Sequence, residues 1–166
     1  MRKVLTILLA VLVVLNTAFI FYQSLQDAEA SANTSGAVSD IVADVVVPDL
    51  PQRPVEEQES VMEKIQKWTR TAAHAIEFAG LGFFFCAFVL ILQLAKVIPL
   101  PYKLGTALLF SVSVALFDET LQLFVDGRAF ELKDIGVDTL GASFGIVCAF
   151  ALVFLVELLQ KRKSQN

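Results

Sequence analysis

Four long apolar runs divide the chain. The first covers Val4 to Tyr22, the second begins near Thr71 and ends near Leu94, the third extends from about Leu104 to Val125, and the fourth from about Ile135 to Leu159. A helix needs about 20 residues to cross a bilayer, and each run reaches that length. The pattern therefore predicts an all-α membrane protein with four transmembrane helices.

The first run also has features of a secretory signal peptide, because Ala28-Glu29-Ala30 resembles a cleavage site. Its apolar stretch is longer than the roughly 7–15 residues that are typical of a signal sequence. We therefore expect residues 1–23 to form a retained first transmembrane helix.

The connection at residues 24–70 carries a second, weaker pattern. Val38, Ile41, Val42 and Val45 recur at helical spacing. This spacing predicts a short amphipathic helix that either lies on the membrane surface or folds over the bundle. Three prolines then interrupt the pattern, and the last, Pro54, precedes a second predicted amphipathic helix. Residues 71–159 would form the core of three transmembrane helices, and residues 160–166 a basic tail.

The composition limits the classes of protein to which this chain can belong. The chain has 166 residues, of which 56% are hydrophobic. Its net charge is −4, and its basic residues form no stripe of the kind that binds nucleic acid. Its mean hydropathy of +0.67 agrees with a membrane location. Cys86 and Cys148 lie inside apolar runs with no spacing typical of zinc or redox sites, so we expect neither a disulfide nor a zinc centre built on cysteines.

Basic residues predict how the helices are oriented. Cytoplasmic segments of membrane proteins are enriched in Lys and Arg. Four crossings, unlike three, place three groups of basic residues on one side, so both termini are predicted to be cytoplasmic. The groups are Arg2 with Lys3, Lys96 with Lys103, and Lys161 with Arg162 and Lys163.

Polar residues within or beside the apolar runs gather near the predicted outer end of the bundle. Charged groups inside a membrane cost several kcal/mol and normally face the bundle interior or a wet cavity. We therefore expect these residues to form one site that binds a ligand. They are Ser24, His74, Glu77, Asp118, Glu119, Gln122, Arg128, Asp134 and Asp138.

Negative charge is in excess at this site, since five carboxylates face few basic groups. Protonated carboxylates, a bound cation or a cationic ligand would each restore the balance. A divalent cation such as Mg²⁺ or Mn²⁺ is the possible cofactor, because open carboxylates suit these ions. Its candidate ligands are Asp118, Glu119, Asp134 and Asp138.

These residues resemble the signature of the VanZ-like family, and the matching elements follow the family's order over most of the chain. The elements are Phe21-Tyr22-Gln23-Ser24, then His74-x-x-Glu77-Phe78, then Asp118-Glu119-x-x-Gln122-x-Phe124-x-x-Gly127-Arg128, then Asp134 and Asp138-x-x-Gly141. The departures are Phe78 in place of Tyr, Thr71 in place of Lys, and Asp126 in place of the Pro before Gly-Arg.

The resemblance implies a multi-pass protein of the bacterial cell membrane. The founding member of the family is associated with resistance to the glycopeptide teicoplanin in Gram-positive bacteria. The family has no established reaction, so the resemblance implies a phenotype and a location, and leaves open whether the chain is an enzyme.

Three hypotheses follow. In the first, which we favour, the outward-facing site binds an envelope ligand: a membrane lipid, a lipid-linked cell-wall precursor or a lipoglycopeptide. In the second, the protein is a membrane enzyme that acts on a lipid-linked substrate, with His74 or Glu77 as general base and Asp118 and Glu119 as further catalytic candidates. In the third, the protein is a proton-coupled carrier, which the scarcity of polar residues in the inner half disfavours.

Overall fold

A computed structural model describes residues 2–26, 28–92, 97–125 and 128–165, with the backbone alone for 28–35 and 164–165. The described residues are helical and contain no β-strand, which confirms the all-α prediction. The helices are α1 (Arg2–Ser24), α2 (Ala28–Val46), α3 (Val55–Ile91), α4 (Leu100–Gln122) and α5 (Leu132–Gln165), with a 3₁₀ turn at Leu50–Gln52.

Four of these helices, α1, α3, α4 and α5, are long and apolar enough to cross a membrane. The four predicted spans are therefore confirmed as helices, with shifted ends: α3 ends at Ile91 and α4 at Gln122. The cytoplasmic location of both termini stays a prediction. Four residues used in the sequence argument, Leu94, Lys96, Asp126 and Gly127, lie outside the described residues.

Helix α3 is longer than a single span requires. Its 37 residues extend about 55 Å at 1.5 Å per residue, whereas the hydrocarbon core of a bilayer is about 30 Å thick. The sequence pattern predicts an amphipathic helix after Pro54 that is separate from the second span, but the structure joins the two into one helix. The physical reason is that no Gly or Pro lies between Val55 and Gly80 to interrupt the helix.

Helix α2 packs against the first part of α3. Ala43 is buried against Leu50 and Ile65, and Val42 packs at the edge of this apolar cluster. The opposite face of α2 exposes Ile41 and other apolar side chains. One apolar face is thus used inside the protein, while contact of the other face with a membrane surface stays a prediction.

Three glycines bring α3 and α5 into backbone contact, because a Cβ atom at any of them would meet backbone atoms of the other helix. Small residues at such positions allow membrane helices to approach closely. Gly141, which belongs to the last family element, is therefore a packing residue of this contact, together with Gly145. The contacting pairs are Gly82 with Ala142, Gly141 with Ala75, and Gly145 with Ala79.

Apolar layers show which helix ends lie together. One layer joins Leu9 of α1 to Cys86 of α3, Ala107 of α4 and Ala149 of α5. The amino-terminal halves of α1 and α4 therefore lie beside the carboxy-terminal halves of α3 and α5. A second apolar layer, which includes Phe78, separates this end of the bundle from the polar residues at the other end.

Replacement of Gly145 by Ala tests the α3–α5 contact. The added methyl group would meet the backbone of Ala79, so we expect a loss of about 1–3 kcal/mol, typical of an overpacked core. Gly136→Ala in the same helix is the matched control, because nothing lies within 4 Å of its Cβ position. Thermal unfolding in detergent should show a lower Tm for Gly145→Ala alone; equal Tm values for both variants would contradict the packing.

Candidate functional site

A buried hydrogen bond joins the end of α1 to α4. The Ser24 hydroxyl donates to Oδ1 of Asp118 over 2.5 Å, and both side chains are fully buried. Asp118 lies in the last two turns of α4, which places its carboxylate beside the carboxy-terminal end of α1. Residues of α1 are therefore part of the site, together with residues of α4.

Gln122 ties the two acids of α4 together. Its Nε2 donates to Oδ2 of Asp118 over 3.3 Å and to Oε1 of Glu119 over 3.2 Å. The second oxygen of Glu119 accepts a hydrogen bond from the backbone N–H of Glu131 over 2.8 Å. Because Glu131 immediately precedes α5, Glu119 anchors the start of that helix and has both carboxylate oxygens engaged.

His74, Asp118 and Asp138 converge from α3, α4 and α5. One ring nitrogen of His74 and one carboxylate oxygen from each aspartate lie within 4.8 Å of one another. Asp138 is 1% exposed, and neither of its carboxylate oxygens has a hydrogen-bond partner among the described residues. A buried carboxylate in this state costs free energy unless something compensates its charge.

Acidic side chains surround Asp138. The carboxylates of Glu77, Asp118, Glu119 and Asp134 all lie close enough to interact with it electrostatically. Arg70 and Arg128 interact in the same way with His74. The excess of acidic over basic side chains that the sequence predicts is therefore found at this site, where the two guanidinium groups of Arg70 and Arg128 lie near His74.

A cavity of about 500 Å³ lies beside this cluster. Residues from the end of α1, from α2 and from α3 line it, and most of its wall is apolar. His74 and Glu77 form part of the wall, so the cavity reaches the polar cluster. The lining residues are Gln23, Gln26, Val38, Val42, Trp68, Thr69, Arg70, Ala72, Ala73, His74, Ile76, Glu77 and Arg128.

The structure brings the predicted site residues to one end of the bundle, where they divide into three groups, two of which share His74. Ser24, Gln122 and Glu119 hold other groups through hydrogen bonds. His74, Glu77 and Arg128 line the cavity. Asp134 borders a smaller gap together with His74 and Asp138. That all of these residues bind a ligand stays a prediction.

The grouping of possible metal ligands differs from the sequence expectation. Asp118 and Asp138 were expected, and His74 joins them in the structure. Glu119 and Asp134 do not belong to the group among the described residues. Hydrogen bonds from Gln122 and from the Glu131 backbone engage the carboxylate of Glu119 apart from these three ligands.

Arg70 and Gln26 are the most informative cavity residues that the sequence analysis did not assign to the site. Arg70 could have been found, because it lies four residues before His74 and helical residues at that spacing share a face. Gln26 follows the end of α1, and only the structure places it in the same cavity wall as Val38 and Val42. Tyr22, which lies in the same family element as Ser24, is 63% exposed, whereas Ser24 is fully buried.

Comparison with known proteins identifies one family. The model of the family described as VanZ/LLP1 matches residues 6–156, which is most of the chain. No curated protein matches the chain, and no solved structure matches it.

Replacement of Ser24 by Ala tests the bond between α1 and α4. Loss of the hydroxyl removes a donor from the buried Asp118 carboxylate, and we expect a cost of about 1–3 kcal/mol. Ser113→Ala is the control, because Ser113 is exposed and bonds only to a carbonyl of its own helix. Unfolding measured by tryptophan fluorescence in detergent should show a lower Tm for Ser24→Ala, and unchanged stability would count against the bond.

Proposed function

This chain belongs to the VanZ/LLP1 family, and on that premise we propose that it binds an amphiphilic ligand of the bacterial cell envelope. The bound molecule would occupy the cavity beside His74 and Glu77. We further propose that this binding contributes to glycopeptide resistance of the teicoplanin type in Gram-positive bacteria.

The cavity is the observation that carries the proposal. Its volume of about 500 Å³ lies within the roughly 300–1,000 Å³ that is usual for small-molecule sites. Val38, Val42 and Ile76 supply an apolar wall suited to an acyl chain. Arg70 and Arg128 supply positive charge suited to phosphate or carboxylate groups. An anionic molecule with an acyl chain combines both requirements.

The position of the cavity supports an envelope ligand. It lies at the opposite end of the bundle from the basic groups at Arg2 and Lys103, which the charge rule assigns to the cytoplasm. This end of the bundle would meet a membrane lipid, a lipid-linked cell-wall precursor or a lipoglycopeptide at the outer surface of the cell membrane. Teicoplanin carries an acyl chain and so has the required amphiphilic character.

A membrane enzyme is the second candidate, and the convergence of His74 with two aspartates favours it. A histidine that lines the cavity and lies beside carboxylates is placed to act as a general base. Covalent catalysis through Ser24 is disfavoured, because its hydroxyl is fully buried and donates to Asp118. Binding therefore accounts for more of the geometry than nucleophilic catalysis does.

A proton-coupled carrier has the least support. Such a protein needs polar groups through the full depth of the membrane. In the half of the bundle away from the site, Ser111 donates to the carbonyl of Ala107 in its own helix. Glu157 is exposed on α5 rather than directed into the bundle.

Filling the cavity tests the proposed binding. Ala73→Phe places a ring in the cavity wall, and we expect at least about tenfold weaker binding because the ligand loses buried contacts. Ala18→Phe, an exposed position on α1 outside the lining, is the control. Fluorescence anisotropy measures the Kd of each variant for two probes, dye-labelled teicoplanin and a short-chain fluorescent phosphatidylglycerol. Equal Kd values for the two variants with both probes would contradict a site in this cavity.

A strain comparison separates binding from catalysis. Expression of the chain should raise the teicoplanin tolerance of a susceptible Gram-positive host, and Asp118→Asn with Glu119→Gln should remove the effect. Mass spectrometry of the envelope lipids and precursors should give the same molecules in both strains. A lipid or precursor made only by the wild type would favour the enzyme instead.

A further inference from the structure

We propose that His74, Asp118 and Asp138 form a binding site for a divalent transition-metal ion, open toward the cavity. The site takes one ligand from each of α3, α4 and α5. It goes beyond the proposed binding of an envelope ligand, because the metal would bind whether or not the cavity is filled.

The distances suit a metal. The ligand atoms of the three side chains lie within 4.8 Å of one another. Nitrogen and oxygen ligands lie about 2.0–2.2 Å from Zn²⁺, so two ligands of one tetrahedral ion are roughly 3.4 Å apart. The three groups therefore lie near coordination distance and would approach one another on binding the ion.

Asp138 supplies an independent observation. Its side chain is almost fully buried, and both carboxylate oxygens lack a hydrogen-bond partner among the described residues. Ordinary buried carboxylates are paired, hydrogen-bonded or bound to metal. A cation between Asp138, Asp118 and His74 would compensate this charge and reduce the repulsion among neighbouring acids.

The surroundings of Asp118 are those of an oriented ligand. Ser24 donates to one of its oxygens and Gln122 to the other. Each carboxylate oxygen accepts more than one bond, so coordination remains open to either. Hydrogen bonds of this kind hold metal ligands in position and are typical of the groups behind a metal site. Glu119, whose two oxygens are engaged, is not needed as a ligand.

The ligand set indicates which ions would bind. One imidazole with two carboxylates suits Mn²⁺ or Zn²⁺, since imidazole favours transition metals and carboxylates favour hard ions. Three protein ligands also leave coordination positions free, as in catalytic rather than structural zinc sites. His74 lines the cavity, so the proposed ion would lie one side chain away from a bound molecule.

Metal titration of the full-length protein in detergent tests the site. Protein stripped with EDTA and dialysed should bind one Mn²⁺, measured by electron paramagnetic resonance, and should gain thermal stability on binding. Electron spin-echo modulation should show a ¹⁴N coupling from the His74 imidazole. This measurement uses the wild type and does not depend on a variant that folds poorly.

Variants then locate the ion. Asp138→Asn should weaken Mn²⁺ binding by about a hundredfold or more, beyond the roughly 10–100-fold effect usual for groups behind a metal ligand. His74→Ala should abolish the ¹⁴N coupling. Asp134→Asn is the matched control, because it removes the same charge four residues earlier in α5 and should weaken binding by about fivefold at most.

Two results would overturn the proposal. One is a wild-type protein that binds no Mn²⁺ or Zn²⁺ up to about 1 mM, the weak end of biological affinities, in which case Asp138 is buried with its proton. The other is Mn²⁺ binding that shows no ¹⁴N coupling and that Asp134→Asn and Asp138→Asn weaken equally. This result would indicate a diffuse attraction of the ion to the acidic residues.

Discussion

The backbone contact between α3 and α5 is the constraint on which the rest of the molecule depends. In lipid there is little hydrophobic drive for helices to associate, so close packing and polar contacts have to hold them together. Gly82, Gly141 and Gly145 allow the two backbones to touch. That contact sets the separation of His74 on α3 from Asp138 on α5, and a bulkier pair of faces would hold these side chains apart.

Helices α1 and α4 complete the arrangement through buried polar bonds. Ser24 joins α1 to Asp118, and Glu119 joins α4 to the backbone that begins α5. Each bond satisfies a group whose burial alone would be unfavourable. The polar cluster is therefore both a candidate site and part of what positions the helices. Its two adjacent acids differ in role, because Glu119 bonds to the backbone at the start of α5, while Asp118 faces His74 and Asp138.

His74 connects the two parts of the site. It lies against the two buried aspartates and also lines the cavity that α2 helps to enclose. A molecule in that cavity would meet an apolar wall on one side and the His74 side of the cluster on the other. This arrangement relates the long connection before α3 to function, since Val38 and Val42 of α2 contribute to the wall.

The sequence by itself determined the number of spans, the helical class and the family, because apolar length and motif spacing are properties of the chain alone. It also indicated that the polar residues share one end of the bundle. Only the tertiary structure decided which acids lack hydrogen-bond partners among the described residues and that His74 joins Asp118 and Asp138. These features depend on the distances between separate helices, and residue spacing along one helix carries no information about those distances.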